Sequence, residues 1–470
     1  MTRTQDHEDA DAALDPEQVE ATLLRHAGAG PRYTSYPTAP VWSDAYDGDD
    51  FASDLARAEG PLSLYVHVPF CRSLCHFCAC NRMVTQKAEL PERFLDTIAR
   101  EVEAVREAVG RSLPAAQHHW GGGTPTHLTP DQIHRLFRTV NEAFPADADA
   151  EISIEADPRV TDEVQLEALR ACGFRRLSLG VQDFDARVQR AIHREQSVAQ
   201  TAALTEGARA LGFRGVSFDL IYGLPFQTVE SMERTLDEAI ALAPDRIAIY
   251  GYAHVTWIAK QQRGFERGDL PGPRERLRIW IATIRRLVAA GYAHVGLDHF
   301  ARPEDPLVQA LRAGTLRRNF MGYTTQAGLE LIGLGPSGIS ELGASYAQNE
   351  RDLAAWQEAL ATRGLATLRG HRLSADDRER RFVIQSLLCG GALDADAFRA
   401  SFGTAIAERF APELEALAPY EAEGLLEIEG DGSIAVGALG RLVLRNVAMV
   451  FDAYLPRQRE GDRPVFSQTI

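Results

Sequence analysis

The sequence predicts an α/β protein: a partial (β/α)6 barrel followed by a smaller, mostly helical, winged-helix-like C-terminal domain. Two observations carry the prediction. From Leu62 onward, six short apolar runs alternate with amphipathic segments, the signature of parallel strands joined by helical crossovers. Near Asn349 that rhythm gives way to helix-period segments interrupted by a hairpin-like stretch. The length of 470 residues agrees, because a barrel of up to about 250 residues leaves room for a second unit.

In chain order, residues 1–30 read as an acidic, solvated tail with a helical pattern over 15–25. The turn-rich PRYTSYPTAP opens the barrel unit, residues 31–348, and is expected to fold over the barrel mouth and cover the substrate. The six strands are LSLYVHV (62–68), AAQHHW (115–120), EISIEA (151–156), FRRLSLGV (174–181), VSFDLIY (216–222) and RIAIYGY (246–252). Between the first two, FLDTIAREVEAVREAVG sets Phe94, Ile98, Val102, Val105 and Val109 on one helical face, with Gly110 as a stop. RERLRIWIATIRRLVAAG is a further helix and YAHVGLDHF a last strand. Residues 349–470 form the C-terminal domain, with helices in LAAWQEALATRG, SADDRERRFVIQSLLCG and LEALAPYEAEG. A hairpin with an Asp-Gly turn follows in LLEIEGDGSIAVG, then a final helix in GRLVLRNVAMVFDAYL.

Hydrophobic residues at 45% and charged residues at 25% are ordinary for a globular enzyme, and no apolar run is long enough to span a bilayer. The first seventeen residues lack the basic start and apolar centre of a secretory signal, so a cytoplasmic protein with reduced cysteines is expected. A monomer is expected. The net charge of −16, with arginines interleaved among acids, argues against nucleic acid as a partner, since phosphate neutralisation needs clustered cations. An anionic substrate held by a few local arginines stays compatible with that charge.

Four of the six cysteines fall in CRSLCHFCACN, spaced Cys71-x3-Cys75-x2-Cys78-x-Cys80, in the loop leaving the first strand. Barrel enzymes place their chemistry at that end of the strands. Soft thiolates select zinc or an iron–sulfur cluster; structural zinc usually takes two separated pairs, which this loop lacks. A [4Fe–4S] cluster held by three thiolates leaves one iron open for a reactant. After the second strand, Gly121, Gly122 and Gly123 in HWGGGTPT remove side chains where backbone is expected to approach a ligand.

The cysteine spacing after a strand, followed by the glycine run, resembles the radical S-adenosylmethionine (SAM) superfamily. The likeness continues through EISIEADP, LSLGVQDF, HREQ, DLIYGLP, YAH, LDHFARP, NFMGYTT and RNVAMVFDAYL, in the order seen in the oxygen-independent coproporphyrinogen III oxidases, over residues 31–470. The resemblance implies oxidative decarboxylation of two propionates of coproporphyrinogen III to vinyl groups in haem biosynthesis. It implies a [4Fe–4S] cluster, two SAM molecules, and an electron donor and acceptor that the sequence does not name. Cys71, Cys75 and Cys78 resemble the cluster ligands. Tyr65, Phe77, Gly122, Glu155, Ala253 and Ile339 resemble contacts to cluster-bound SAM, and Thr124, Gln182, Arg194 and Asp219 contacts to a second SAM, with Gly123 beside them. Met321 stands where a glutamine is usual, which removes hydrogen bonds near the second SAM, and Ala79 where a glycine is common.

Cys80 is then a surplus thiol, expected with Tyr65 at the reaction centre without ligating the cluster. Asp298 and His299 are candidates for acid–base chemistry or substrate contact, although neighbours on one strand face opposite ways and make poor partners. His67 shares a strand face with Tyr65 and is either a core histidine or close to the cluster. A substrate with four carboxylates needs local cations, for which Arg32 and then Arg302 are the candidates. GLGPSG satisfies a dinucleotide fingerprint, but Pro336 interrupts it and an acidic residue in strand context is missing. Cys172 and Cys389 read as inert core thiols. Two competing functions are a haem-transferring chaperone related to the same family and a zinc-stabilised structural protein.

Overall fold

The computed structural model describes residues 15–458 apart from Ile258, so residues 1–14 of the acidic tail lie outside the described residues. Six parallel strands form where the apolar runs predict them: β1 Leu62–Val68, β2 Ala115–Gly122, β3 Ala146–Ala156, β4 Arg176–Gln182, β5 Gly215–Tyr222 and β6 Arg246–Gly251. Side chains on both faces of β1 and β5 are largely buried, which is why those runs are nearly continuous in apolar residues. Glu89–Val109 is the first crossover helix; its five apolar positions are buried and Gly110 ends it with φ 69°.

The sheet is larger than six strands. The expected single strand 292–300 is a hairpin of β7 Ala293–Gly296 and β8 His299–Ala301, with β8 antiparallel to β6. On the other edge, β9 Glu330–Leu334 lies parallel to β1, and β10 Ile339–Leu342, β11 Ser345–Asn349 and β12 Thr367–Arg372 add antiparallel strands. The full order is β12-β11-β10-β9-β1-β2-β3-β4-β5-β6-β8-β7. Strands of three to six residues leave too short a periodic signal to read from sequence.

The expected boundary at 348/349 therefore falls inside β11. Helix Leu353–Arg363 packs Trp356 against Phe94 of the first crossover, with ring centroids 5.6 Å apart. A separate apolar core begins with helix Ala375–Gly390 and joins Val383, Leu387, Phe398, Val447 and Phe451. Tyr33 and Tyr36 of the PRYTSYP segment are part of that core. Strands Leu426–Ile428 and Ile434–Val436 pair as the expected hairpin, and Ala392–Leu393 adds a third strand. The expected final helix is instead three short pieces, Ala438–Arg441, Leu444–Met449 and Leu455–Gln458. Among the described residues no helix is long and apolar enough to cross a membrane.

Candidate active site

The cysteine loop is a closed excursion: short strand Phe70–Cys71 pairs with Met83–Val84, so residues 72–82 leave and return at the C-terminal end of β1. His67 secures the return, its Nε2 lying 2.8 Å from Asn81 O and its Nδ1 3.1 Å from Tyr65 Oη. All four thiols are free, with Cys71 and Cys75 buried and Cys80 exposed. Burial pushes the Cys71 thiol up to about 11, although it lies 3.5 Å from the Thr124 hydroxyl. The neighbouring Cys80 thiol and nearby Arg82 draw Cys78 down to about 6, while Cys78 pushes Cys80 up. The loop thus sets Cys78, drawn down, apart from Cys71 and Cys80, both pushed up.

These thiols open on a cavity of about 340 Å³ at the barrel mouth. The same cavity collects Phe77, Gly122, Gly123, Thr124, Glu155, Gln182, Arg194 and Asp219 from the ends of successive strands. Gln182 holds a left-handed φ of 67°, a strained conformation for a residue with a side chain. Burial and the neighbouring Glu155 raise Asp219 to about 7, against the hydrogen bond it accepts from Ser178 Oγ at 3.0 Å. Arg194 is buried and lines this cavity, with Nη1 on Asp157 Oδ2 and Nη2 on Gly180 O; its Nε is enclosed without a hydrogen-bond partner.

Tyr65, Ala253 and Ile339 are not in that lining. Tyr65 bonds His67; Ala253 O accepts from Gln262 Nε2 at 3.0 Å, and the same amide donates to Phe77 O at 2.9 Å. Ile339 lies against Gly333, and it packs beside Trp42 and Tyr346. The glycine run also makes room for protein: a Cβ on Gly121 would stand 2.9 Å from the Glu155 carboxyl, and on Gly122 2.7 Å from the His67 ring, while Gly122 and Gly123 line the cavity. GLGPSG joins β9 to antiparallel β10 with no helix after it, which removes the dinucleotide reading. Its Gly335, at φ 90°, leaves no space for a side chain beside His67 O.

The expectation that Asp298 and His299 are poor partners is overturned. The β7–β8 turn places Asp298 Oδ1 2.7 Å from His299 Nδ1, because the two residues straddle a strand start rather than sharing one strand. Arg32 Nη1 donates to Asp298 Oδ2 at 2.8 Å, and its guanidinium lies 5.3 Å from the centre of the Tyr250 ring, which lines the cavity. His299 and Met321 line a deeper cavity of about 140 Å³ with Glu155, Asp219 and Tyr250. Arg302 lies elsewhere: β8 runs antiparallel to β6, so its chain reaches the N-terminal end of β6, where its N and Nε bond Asp245 O and Pro244 O.

Sequence reasoning missed Asp157 and Arg159, although the strand end EISIEADP pointed to them. Arg159 forks onto Asp157, with Nε 3.0 Å from Oδ1 and Nη2 2.7 Å from Oδ2, and Arg194 Nη1 reaches the same Oδ2 at 3.0 Å. It also missed Gln262, whose amide ties the segment after β6 to the cysteine loop. Cys172 and Cys389 are buried, and Cys172 Sγ lies 3.2 Å from His134 Nδ1. Among the described residues no three Cys, His, Asp or Glu side chains converge on one ion's position.

Comparison with known proteins accounts for both halves of the chain. The Radical SAM superfamily model matches residues 65–239, and the HemN C-terminal domain model residues 357–442. Oxygen-independent coproporphyrinogen III oxidase of Salmonella typhimurium is 45% identical over 451 residues, covering 96% of this chain and 98% of the relative. The chain belongs to the oxygen-independent coproporphyrinogen III oxidase family. The Helicobacter pylori member is 39% identical over 452 residues, covering 95% of this chain and 98% of its own. A solved structure titled coproporphyrinogen III oxidase (HemN) from Escherichia coli, described as a radical SAM enzyme, matches with a TM-score of 0.87 and 45% identity over 90% of this chain and 97% of that one. Within this oxidase family the C-terminal match begins inside helix Leu353–Arg363, beyond the expected boundary.

Proposed function

We propose that the chain carries out oxygen-independent oxidative decarboxylation of coproporphyrinogen III to protoporphyrinogen IX in porphyrin biosynthesis, as a cytoplasmic monomer. The observation that carries the reading is the convergence of three thiols, the carboxylates of Glu155 and Asp219 and the buried Arg194 on one cavity at the barrel mouth. The donor set fits a [4Fe–4S] cluster: Cys71, Cys75 and Cys78 would hold it, with Cys80 beside them as a thiol pushed up by Cys78. Once bound, cluster and SAM would supply one-electron reduction and hydrogen-atom abstraction chemistry for a propionate.

The protein's own groups bind and orient. Glu155 and Asp219 offer acceptor oxygens to ribose hydroxyls or an ammonium group, with Gly122 N fixing Glu155 Oε2 at 3.1 Å. Arg194 and Gln182 face the cavity with donors suited to the carboxylate of a second SAM. Asp298 favours the proton on His299 Nδ1, leaving Nε2 to hold or move a proton in the deeper cavity, and Arg32 offers its remaining fork to a propionate. Tyr65, Ala253 and Ile339 frame the site through His67, Phe77 and Gly333. The electron donor and acceptor are separate partners.

The test is anaerobic, cluster-reconstituted protein given coproporphyrinogen III, SAM and a reductant. Release of carbon dioxide with 5′-deoxyadenosine is expected. Haem binding and transfer without turnover, or colourless protein lacking inorganic sulfide, would sink the proposal.

A further inference from the structure

The three ligand thiols do not share one environment. Cys71 Sγ meets the Thr124 hydroxyl and Cys78 meets the Cys80 thiol, whereas Cys75 Sγ lies 3.5 Å from Arg159 Nη2 and 3.6 Å from Arg194 Nη1. Both nitrogens donate and the sulfur accepts. The two guanidiniums are anchored on Asp157, which is 5% exposed and stands directly after β3, and its backbone oxygen accepts from Thr161 Oγ1 at 2.9 Å. A surface arginine would sample many rotamers; this fork is fixed by the fold before any cofactor arrives.

We infer that Arg159, held by Asp157, is a positioning and charge-tuning residue for the Cys75 thiolate, and that it makes the bound cluster easier to reduce. The inference rests on the reading of Cys75 as a cluster ligand. N–H donation draws electron density off the sulfur, and the cluster carries one more negative charge once an external one-electron donor has reduced it, so the same bonds strengthen on reduction. No bond is made or broken in that step; the donor loses the electron that the cluster gains. Arg159 alone is expected to be worth about tenfold in the ratio of reduced to oxidised cluster at a fixed ambient potential, about 59 mV for one electron.

The experiment is an EPR-monitored redox titration of full-length, reconstituted protein without substrate or SAM, comparing wild type with R159Q and R159K. In R159Q the midpoint falls by that tenfold equivalent with iron and sulfide content unchanged; R159K, which keeps charge but not the fork, falls between. If R159Q does not retain the cluster, R159K alone decides, with the Fe–S(Cys) stretch in resonance Raman as second readout. A wild-type midpoint and an unshifted stretch overturn the inference. Because no substrate enters, a protein that failed to decarboxylate coproporphyrinogen III would still give a readable titration, and a wild-type potential in R159Q would leave the decarboxylase reading standing.

Discussion

Two buried carboxylates, Asp157 and Asp298, each collect an arginine at the edge of the barrel cavities, yet they leave their surroundings in opposite states. Asp157 receives two guanidiniums, and both keep donors for the Cys75 sulfur. Asp298 is saturated: Arg32 takes Oδ2 and His299 takes Oδ1. Burial alone would raise the Asp298 carboxyl, but Arg32 and His299 outweigh it and hold it well below the usual carboxylate range. Nearby Arg445 places its Nε on Pro31 O, tying the N-terminal segment to the C-terminal domain. At Asp157 the donors outnumber the carboxylate oxygens, so its arginines reach a further group; at Asp298 the two match, and Arg32 keeps for substrate only the nitrogens that Asp298 does not take.

The comparison breaks most visibly at the thiols. C75S should abolish cluster loading, with iron and sulfide falling to background, while C80S should keep both and lose turnover; loss of iron in C80S would show a four-thiol site. D157N should destabilise the protein by about 3–5 kcal/mol in urea unfolding, since it removes the partner of Arg194, which is buried, and of Arg159; D298N should cost less, because Arg32 is about one-third exposed and regains water. They should differ in the cluster's visible spectrum, which changes in D157N and not in D298N. A smaller effect is expected of R32A, whose KM should rise about tenfold with SAM cleavage retained, the worth of one charge-assisted hydrogen bond of about 1.5 kcal/mol.

Asp219 gives a pH signature. Its carboxyl is raised from the ordinary aspartate value of 3.8 to about 7 in the folded protein, chiefly by burial, so the folded state binds more protons between those values. Stability of the metal-free protein should therefore fall as pH rises through that window, and D219N should flatten the fall in urea midpoints measured from pH 4 to pH 8. R302A, at the far end of β6, should leave KM and kcat within about twofold of wild type, the range of a surface change.

Much of the site was legible because strand ends announce themselves. An apolar run followed by a polar residue puts Cys71, Thr124, Glu155 and Gln182 at one end of one barrel, and the cavity gathers them with Asp219 from within β5. Asp298 with His299 was misread because a turn between two short strands looks like one strand in sequence. Arg302 was misplaced because its strand runs the other way, and the reversal has no local signature.

The sequence by itself determined the six parallel strands, their crossovers and the three-plus-one cysteine spacing, since hydrophobic periodicity and ligand spacing are local properties of the chain. Only the tertiary structure decided that β9 to β12 extend the sheet, that Tyr33 and Tyr36 belong to the C-terminal core, and that Arg159 and Arg194 meet at Cys75. The physical reason is separation along the chain. Arg159 and Cys75 are 84 residues apart, and which donor reaches which sulfur is settled by how strands stack side by side, a quantity no short window of sequence contains.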